Sequence, residues 1–301
     1  MQSLWDSTPM AFVAVYLAPA PSHGDTAWMS RISSLQSMGW GLLPVYVGQQ
    51  AAGGPGSHAL TSAQGSADAT DAAQLAHTGS LSLGSVVYLD VEVGGVLPAA
   101  FVDYVAAWVG GITSTDYRPG VYCSHFKTAT QITGAVGDIP GWAYNPIDSG
   151  PSTVELGTET ARDPAESGYG AAIAWQYRMS LKGAVDLRWT DTSTGAGRSL
   201  HQVDLDTAVC TDPSNPVFPT PGLATVTPDQ VSPGDTGSLE GSDFDGVSDM
   251  AFDVVNSPNM TVSDASHIDA VVPNGLAGTV DVVVSNRWGL QSSPGIPVTI
   301  T

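Results

Sequence analysis

Basic residues are scarce in this chain. Nine Lys and Arg stand against 29 Asp and Glu in 301 residues, a formal charge of −20. Nucleic acid and anionic membrane surfaces are not expected partners, because a polyanion gains no counterion release from an acidic surface. Cysteine is nearly absent too, with only Cys123 and Cys210. Two thiols build neither a zinc knuckle nor a disulfide framework. They are expected as free, buried groups, a single bridge being open to them only if the fold brings them together. His23, His58, His77, His125, His201 and His267 are scattered without metal-ligand spacing, so no metal and no cofactor is called for. No unbroken apolar run reaches the roughly 18–20 residues of a membrane span. The strongest early run, residues 10–20, contains Pro19 and has no Lys or Arg ahead of Arg31. A secretory leader needs a positive segment before its apolar stretch, so this run reads as a buried strand. Ser124 lacks a Gly-x-Ser-x-Gly elbow, and no Lys-Ser/Thr pair follows the Gly-rich residues 53–56 to hold phosphate. The charged fraction is only 13%. That composition suits a protein acting outside the cytoplasm.

What is present begins with an alternation. Strand-like runs fall at residues 12–17, 42–47, 86–91, 120–123, 141–144, 173–177 and 202–205, and helical stretches at 25–38, 67–77, 98–108 and 126–132. Strands alternating with helices imply parallel β-α units, closed into a barrel or left as an open doubly wound sheet. Seven or eight strands within residues 1–210 fit a compact, TIM-like (β/α)-barrel. Residues 211–221 carry prolines at 213, 216, 219 and 221, the composition of a semi-rigid linker. From 222 to 301 short alternating runs separated by Gly, Pro, Asn and Asp predict a small, all-β, Ig-like sandwich.

The stretch Val87-Tyr88-Leu89-Asp90-Val91-Glu92 carries the most chemistry. An apolar strand ends on two carboxylates at i and i+2, which share a face with Cβ atoms about 6–7 Å apart. At the carboxyl end of a barrel strand that face looks into the catalytic mouth. Two close carboxyls split their pKa values into one acid and one base, as glycosidic cleavage requires. A solvated strand end reads the same way in isolation. Three further groups favour the first reading: Asp6 ahead of the first strand, Asp204 and Asp206 in the last one, and aromatics near strand ends. Of the aromatics, Tyr46, Tyr122, Trp142 and Tyr144 are candidate sugar-stacking residues, with Trp175 and Tyr177 nearby. Gln49 and Gln176 are candidate partners for sugar hydroxyls.

Four blocks together resemble a known family: residues 43–50 (LPVYVGQQ), residues 88–92 (YLDVE), residues 120–124 (GVYCS) and residues 175–177 (WQY). Over residues 4–210 the chain looks like the glycoside hydrolase-like domain of actinobacterial and phage proteins. That domain is related to the family 25 glycoside hydrolases, the muramidase-type lysozymes. The resemblance implies that Glu92 is the general acid and Asp90 its partner, which attacks directly or positions an N-acetyl group. It also implies that Asp6 is the acid of the first strand and Asp204 that of the last. The last motif reads Val-Asp-Leu-Asp where the lysozymes show Val-Asp-Leu-Asn, and Val185-Asp186-Leu187 is a competing match. The opening Gly-Ile-Asp is replaced by Leu4-Trp5-Asp6. Residues 222–301 resemble an IPT/TIG Ig-like domain through Val226-Thr227-Pro228, Gly234-Asp235, residues 241–244 (GSDF), Val271-Val272-Pro273 and residues 280–284 (VDVVV).

These readings lead to a hydrolase of cell-wall glycan, most plainly peptidoglycan, acting without cofactor or metal. The alternative is a glycan-binding or structural component that kept the barrel and lost efficient catalysis. In that version the chain rides on a phage tail or virion, and the Ig-like module contacts particle or tail proteins.

Overall fold

The computed structural model describes residues 1–149, 153–156, 158–160, 162–185, 199–216, 220–244, 247–286 and 291–301. The chain divides into two compact units, Met1–Pro216 and Val217–Thr301.

The first unit is built on one eight-stranded sheet. Its first five strands are β1 (Phe12–Tyr16), β2 (Gly41–Tyr46), β3 (Val86–Val91), β4 (Arg118–Cys123) and β5 (Gly141–Ser149). They lie side by side in chain order and run parallel. Four helices make the crossovers: α2 (Ile32–Ser37), α3 (Ser62–Thr78), α4 (Ala99–Thr113) and α5 (Phe126–Val136), after a short N-terminal α1 (Gln2–Ser7). Thr61 caps α3 by accepting the Gln64 amide, and Ala69, Ala72 and Ala76 form its buried stripe. On α4 the buried Phe101, Tyr104, Val105, Trp108 and Ile112 recur at helical spacing. The two helices cross closely. A Cβ on Gly65 would collide with the Tyr104 carbonyl oxygen, and one on Gly111 would lie 2.5 Å from Ala69 Cβ.

Strand alternation gives the sheet two chemically different faces. Val15, Leu17, Leu42, Tyr46, Val87, Leu89, Val91, Val121 and Cys123 enter the apolar core shared with the helices. The intervening residues, among them Tyr16, Val45, Tyr88, Asp90 and Tyr122, turn to the inner face. Every residue of β2 and β3 is buried, as befits strands covered on both sides.

After β5 the helix-strand alternation stops, and here the expected barrel is corrected. The chain makes β6 (Thr153–Glu155), a 3-10 turn at Pro164–Ser167, the long β7 (Ala172–Val185) and β8 (Ser199–Ala208). β7 runs parallel to β5, but β8 returns antiparallel along β7. Among the described residues β1 and β8 do not pair, so the sheet curls into a half-barrel. A hairpin partner brings its own edge and no covering helix, which leaves the ring open on that side.

Residues 211–216, expected as linker, belong to the first unit and cover the amino ends of its strands. Asp212 Oδ1 accepts from Leu42 N (3.1 Å), Ser214 O from Val86 N (2.6 Å), and Pro213 O from the buried Tyr88 hydroxyl (2.8 Å). The backbone passes so near Gly41 that a Cβ there would meet the Thr211 carbonyl oxygen. Only glycine fits beneath that crossing. Cys123 is buried, Cys210 is partly exposed, and the two are not bridged.

The second unit is an all-β sandwich of two sheets. One orders β10 (Gln230–Val231), β17 (Ile296–Ile300), β16 (Gly278–Asn286), β12 (Val247–Phe252) and β13 (Val255–Asn256). The other orders β14 (Met260–Asp264), β15 (His267–Val271), β11 (Thr236–Ser242) and β9 (Gly222–Thr227). Leu239 and Ile268 from one sheet meet Phe252, Val282, Val284 and Val298 from the other in one core.

Candidate functional site

The inner face of the first unit gathers its polar side chains near the carboxyl ends of the parallel strands. Register aligns them: Asp90 pairs with Tyr122, Tyr122 with Trp142, Tyr144 with Gln176, and Gln176 with Asp206. Asp90, Tyr122, Trp142, Tyr144, Gln176, Asp204 and Asp206 all turn away from the apolar cores, because their sequence neighbours Leu89, Val121, Ala143, Trp175 and Leu205 fill those cores.

Asp90 sits at the floor of this face, only 7% exposed, and its Oδ1 has no hydrogen-bond partner. Burial first, and the neighbouring Glu92 charge second, push its pKa up to about 8. Asp90 therefore holds a proton at neutral pH. Glu92, two residues on, is exposed. The backbone of the pair is pinned from both sides. Gln50 Nε2 donates to the Asp90 carbonyl (3.0 Å), and Ser124 Oγ donates to that of Glu92 (2.6 Å).

A hydrogen-bond chain carries the site across to β8. The Tyr122 hydroxyl donates to Gln176 Oε1 (2.8 Å), and Gln176 Nε2 donates to Asp204 Oδ2 (3.1 Å). Beside it Trp142 Nε1 donates to Asp206 Oδ1 at 2.8 Å. Burial raises the Asp206 pKa to about 7, the Trp142 bond pulling it down and Asp204 pushing it up. Tyr122 packs edge-on against Trp142 (4.7 Å between centroids) and lies 6.2 Å from Tyr144. Its hydroxyl is held protonated by burial and by Asp90, Asp206, Tyr144 and Glu92. Among the described residues no three His, Cys, Asp or Glu are placed to hold a metal ion.

The structure thus brings Asp90, Glu92, Asp204, Tyr122, Trp142, Tyr144 and Gln176 together. Three expected residues lie elsewhere. Asp6 is on α1, exposed, and accepts from Gln2 Nε2. The next residue back, Trp5, packs against Trp40 just before β2, so Asp6 lies at the amino ends of the strands, away from Asp90. Tyr46 is fully buried under α3 with its hydroxyl on Asp71 Oδ2, because it shares the outward parity of Leu42. Gln49 braces the loop before α3. Its side chain donates to Asp68 and accepts from the Ala59 amide, which leaves it 2% exposed. The competing motif at Asp186 and Leu187 lies outside the described residues.

Asp206, expected beside Asp204 in the last strand, shares its face by simple alternation, and one residue of the face, Tyr16, was not among the expected ones. Tyr16 ends β1, and burial first, then the charges of Asp90, Asp204, Glu92 and Asp206, raise the pKa of its hydroxyl. Its one sequence signal is its parity, opposite to Val15 and Leu17.

Among the described residues no helix is long and apolar enough to cross a membrane. No curated protein matches the chain. Among solved structures it is similar to an uncharacterized B. stearothermophilus protein (19% identity, 66% of this chain and 84% of that one, TM-score 0.45). It is similar to the Clostridium perfringens spore cortex lytic enzyme SleM (12% identity, 96% and 90%, TM-score 0.43). A third is the Mycobacterium tuberculosis Tat-secreted protein Rv2525c (14% identity, 67% and 86%, TM-score 0.39). The family model of the Rv2525c-like, glycoside hydrolase-like domain matches residues 3–211, nearly the whole first unit with the acid-lined face inside it, and the chain belongs to that family.

Proposed function

We propose that the first unit hydrolyses a cell-wall glycan, of peptidoglycan type, with Asp90 and Glu92 as its working pair. The observation that carries this reading is their split environment: two carboxyls two residues apart on one strand end, one buried, the other exposed. That division supplies an acid and a base from the same residue type.

In the free protein the proton rests on Asp90. A sugar laid across the face meets the exposed Glu92. The proton then passes from Asp90 to Glu92, directly or through a water. Glu92 delivers it to the leaving glycosidic oxygen as the C–O bond breaks. Asp90, now anionic, stabilises the positive centre on the sugar or orients an N-acetyl group that does so. Water adds to that centre and returns a proton to the pair, which closes the cycle. Asp204 and Gln176 hold sugar hydroxyls, while Trp142, Tyr122 and Tyr144 wall the site. The resemblance of the second unit to IPT/TIG Ig-like domains supports a spacer or adhesive role for it, and the low charged fraction supports action outside the cytoplasm.

The test is release of reducing ends from purified peptidoglycan. The wild-type protein is expected to release them, and Glu92→Gln to lose at least about a hundredfold of that activity with its melting temperature unchanged. Wild-type-level release by Glu92→Gln sinks the assignment.

A further inference from the structure

One aromatic ring on the inner face has no part in the acid chemistry above. Tyr16 is the last residue of β1, paired in register with Val45, on the face that also carries Tyr88 and Asp90. It is 37% exposed, whereas Trp142 is 6% exposed and already bonded to Asp206.

One flat side of the Tyr16 ring is covered. The His23 ring stacks on it with centroids 4.0 Å apart and planes 18° from parallel. His23 is itself held by a tight two-way backbone pairing with Ala20, at 2.7 and 3.1 Å. That turn is tied to the next loop through Ser22, whose hydroxyl donates to the Gly48 carbonyl (2.6 Å) and accepts from the Ser57 amide (3.1 Å). The ring is therefore backed by a second ring on an anchored loop, on a residue of inner-face parity that stays 37% exposed. A flat surface already fixed in place loses little entropy on meeting another flat surface.

We propose that Tyr16 is a substrate-positioning residue, packing its uncovered face against the apolar face of a sugar ring while its hydroxyl donates to a sugar oxygen. This assignment rests on the reading of the inner face as a glycan site. Asp90, Glu92, Asp204 and Asp206 already crowd negative charge or protons into this space, and a fifth acid would add repulsion. A tyrosine supplies a donor and a stacking surface with no charge, its hydroxyl pKa raised first by burial and then by the nearby acid charges.

The experiment uses the full chain carrying Glu92→Gln, so that binding is read without turnover, with a soluble oligomer of N-acetylglucosamine as the probe in titration calorimetry. Adding Tyr16→Ala is expected to weaken binding about fivefold to tenfold. Adding Tyr16→Phe, which keeps the ring, is expected to restore most of that loss. Thermal unfolding of both variants should match the parent. Parent-like affinity in Tyr16→Ala overturns the assignment, as does an equal loss in Tyr16→Phe, which would leave the ring no role. Failure of the Glu92→Gln parent itself to bind overturns the glycan reading instead, and this assignment with it.

Discussion

Asp90 shows what a single buried carboxyl costs. Folding moves its pKa from 3.8 to about 8, so between those pH values the folded chain keeps a proton that the unfolded chain has lost. Stability is then fully present below the unfolded value and falls as pH rises toward 8, by roughly 1.4 kcal/mol per pH unit while only the folded form is protonated. Asp90→Asn removes both the titration and the repulsion from Glu92. The variant is expected to be more stable than wild type at pH 7, by about 2–4 kcal/mol, with the two converging near pH 4. Thermal melts across pH 4–8 measure this, and parallel curves would show that Asp90 is not protonated by folding. The identity of this residue was legible in the sequence because an apolar strand ended on it. Its burial was not, since nothing local says that β4 will set Tyr122 beside it. The same ambiguity misled at Tyr46 and Gln49, where a polar tip near a strand end met a helix instead of the inner face.

At the scale of elements, the crossing of α3 and α4 fixes where the loops of the site begin. Alanine normally stabilises a helix interior by about 1 kcal/mol over glycine. Gly110 on α4 has nothing within 4 Å of its would-be Cβ, so Gly110→Ala is expected to raise stability by up to that amount. At Gly65 the same change drives a methyl against a backbone oxygen that cannot swing aside. Gly65→Ala is expected to destabilise by about 1–3 kcal/mol despite the better propensity. Chemical denaturation of the two variants decides it, and gains at both would show that the helices do not cross this closely. Periodicity revealed these helices well: residues 98–108 were expected and Ala99–Thr113 is found. Strand existence was equally legible, but strand direction was not. The run at residues 202–205 reads as a strand whether it lies parallel or antiparallel, and only its return along β7 turns a barrel into a half-barrel. Over residues 222–301 proline, glycine and alternating short runs argue for strands, and the described residues there form two sheets.

At the scale of the molecule, the division into units follows hydrogen bonds more closely than composition. Prolines 213 and 216 suggested a linker, yet residues 211–216 satisfy amides and a hydroxyl at the amino ends of β2 and β3. A fragment ending at Pro216 is therefore expected to melt several degrees higher than one ending at Cys210, because the shorter fragment leaves the Tyr88 hydroxyl and the Val86 amide without their partners. Equal melting temperatures would show that the segment merely rests on the sheet. The same segment is the point at which the chain leaves for the second unit. If that unit is held fast while the first is pulled by whatever it grips, the tension arrives at residues 211–216 before it reaches β8. The bonds to Leu42, Val86 and Tyr88 take the load at the far end of the sheet, as a clamped cable takes strain before its connector, so Asp204 and Asp206 stay in register while the protein is under force.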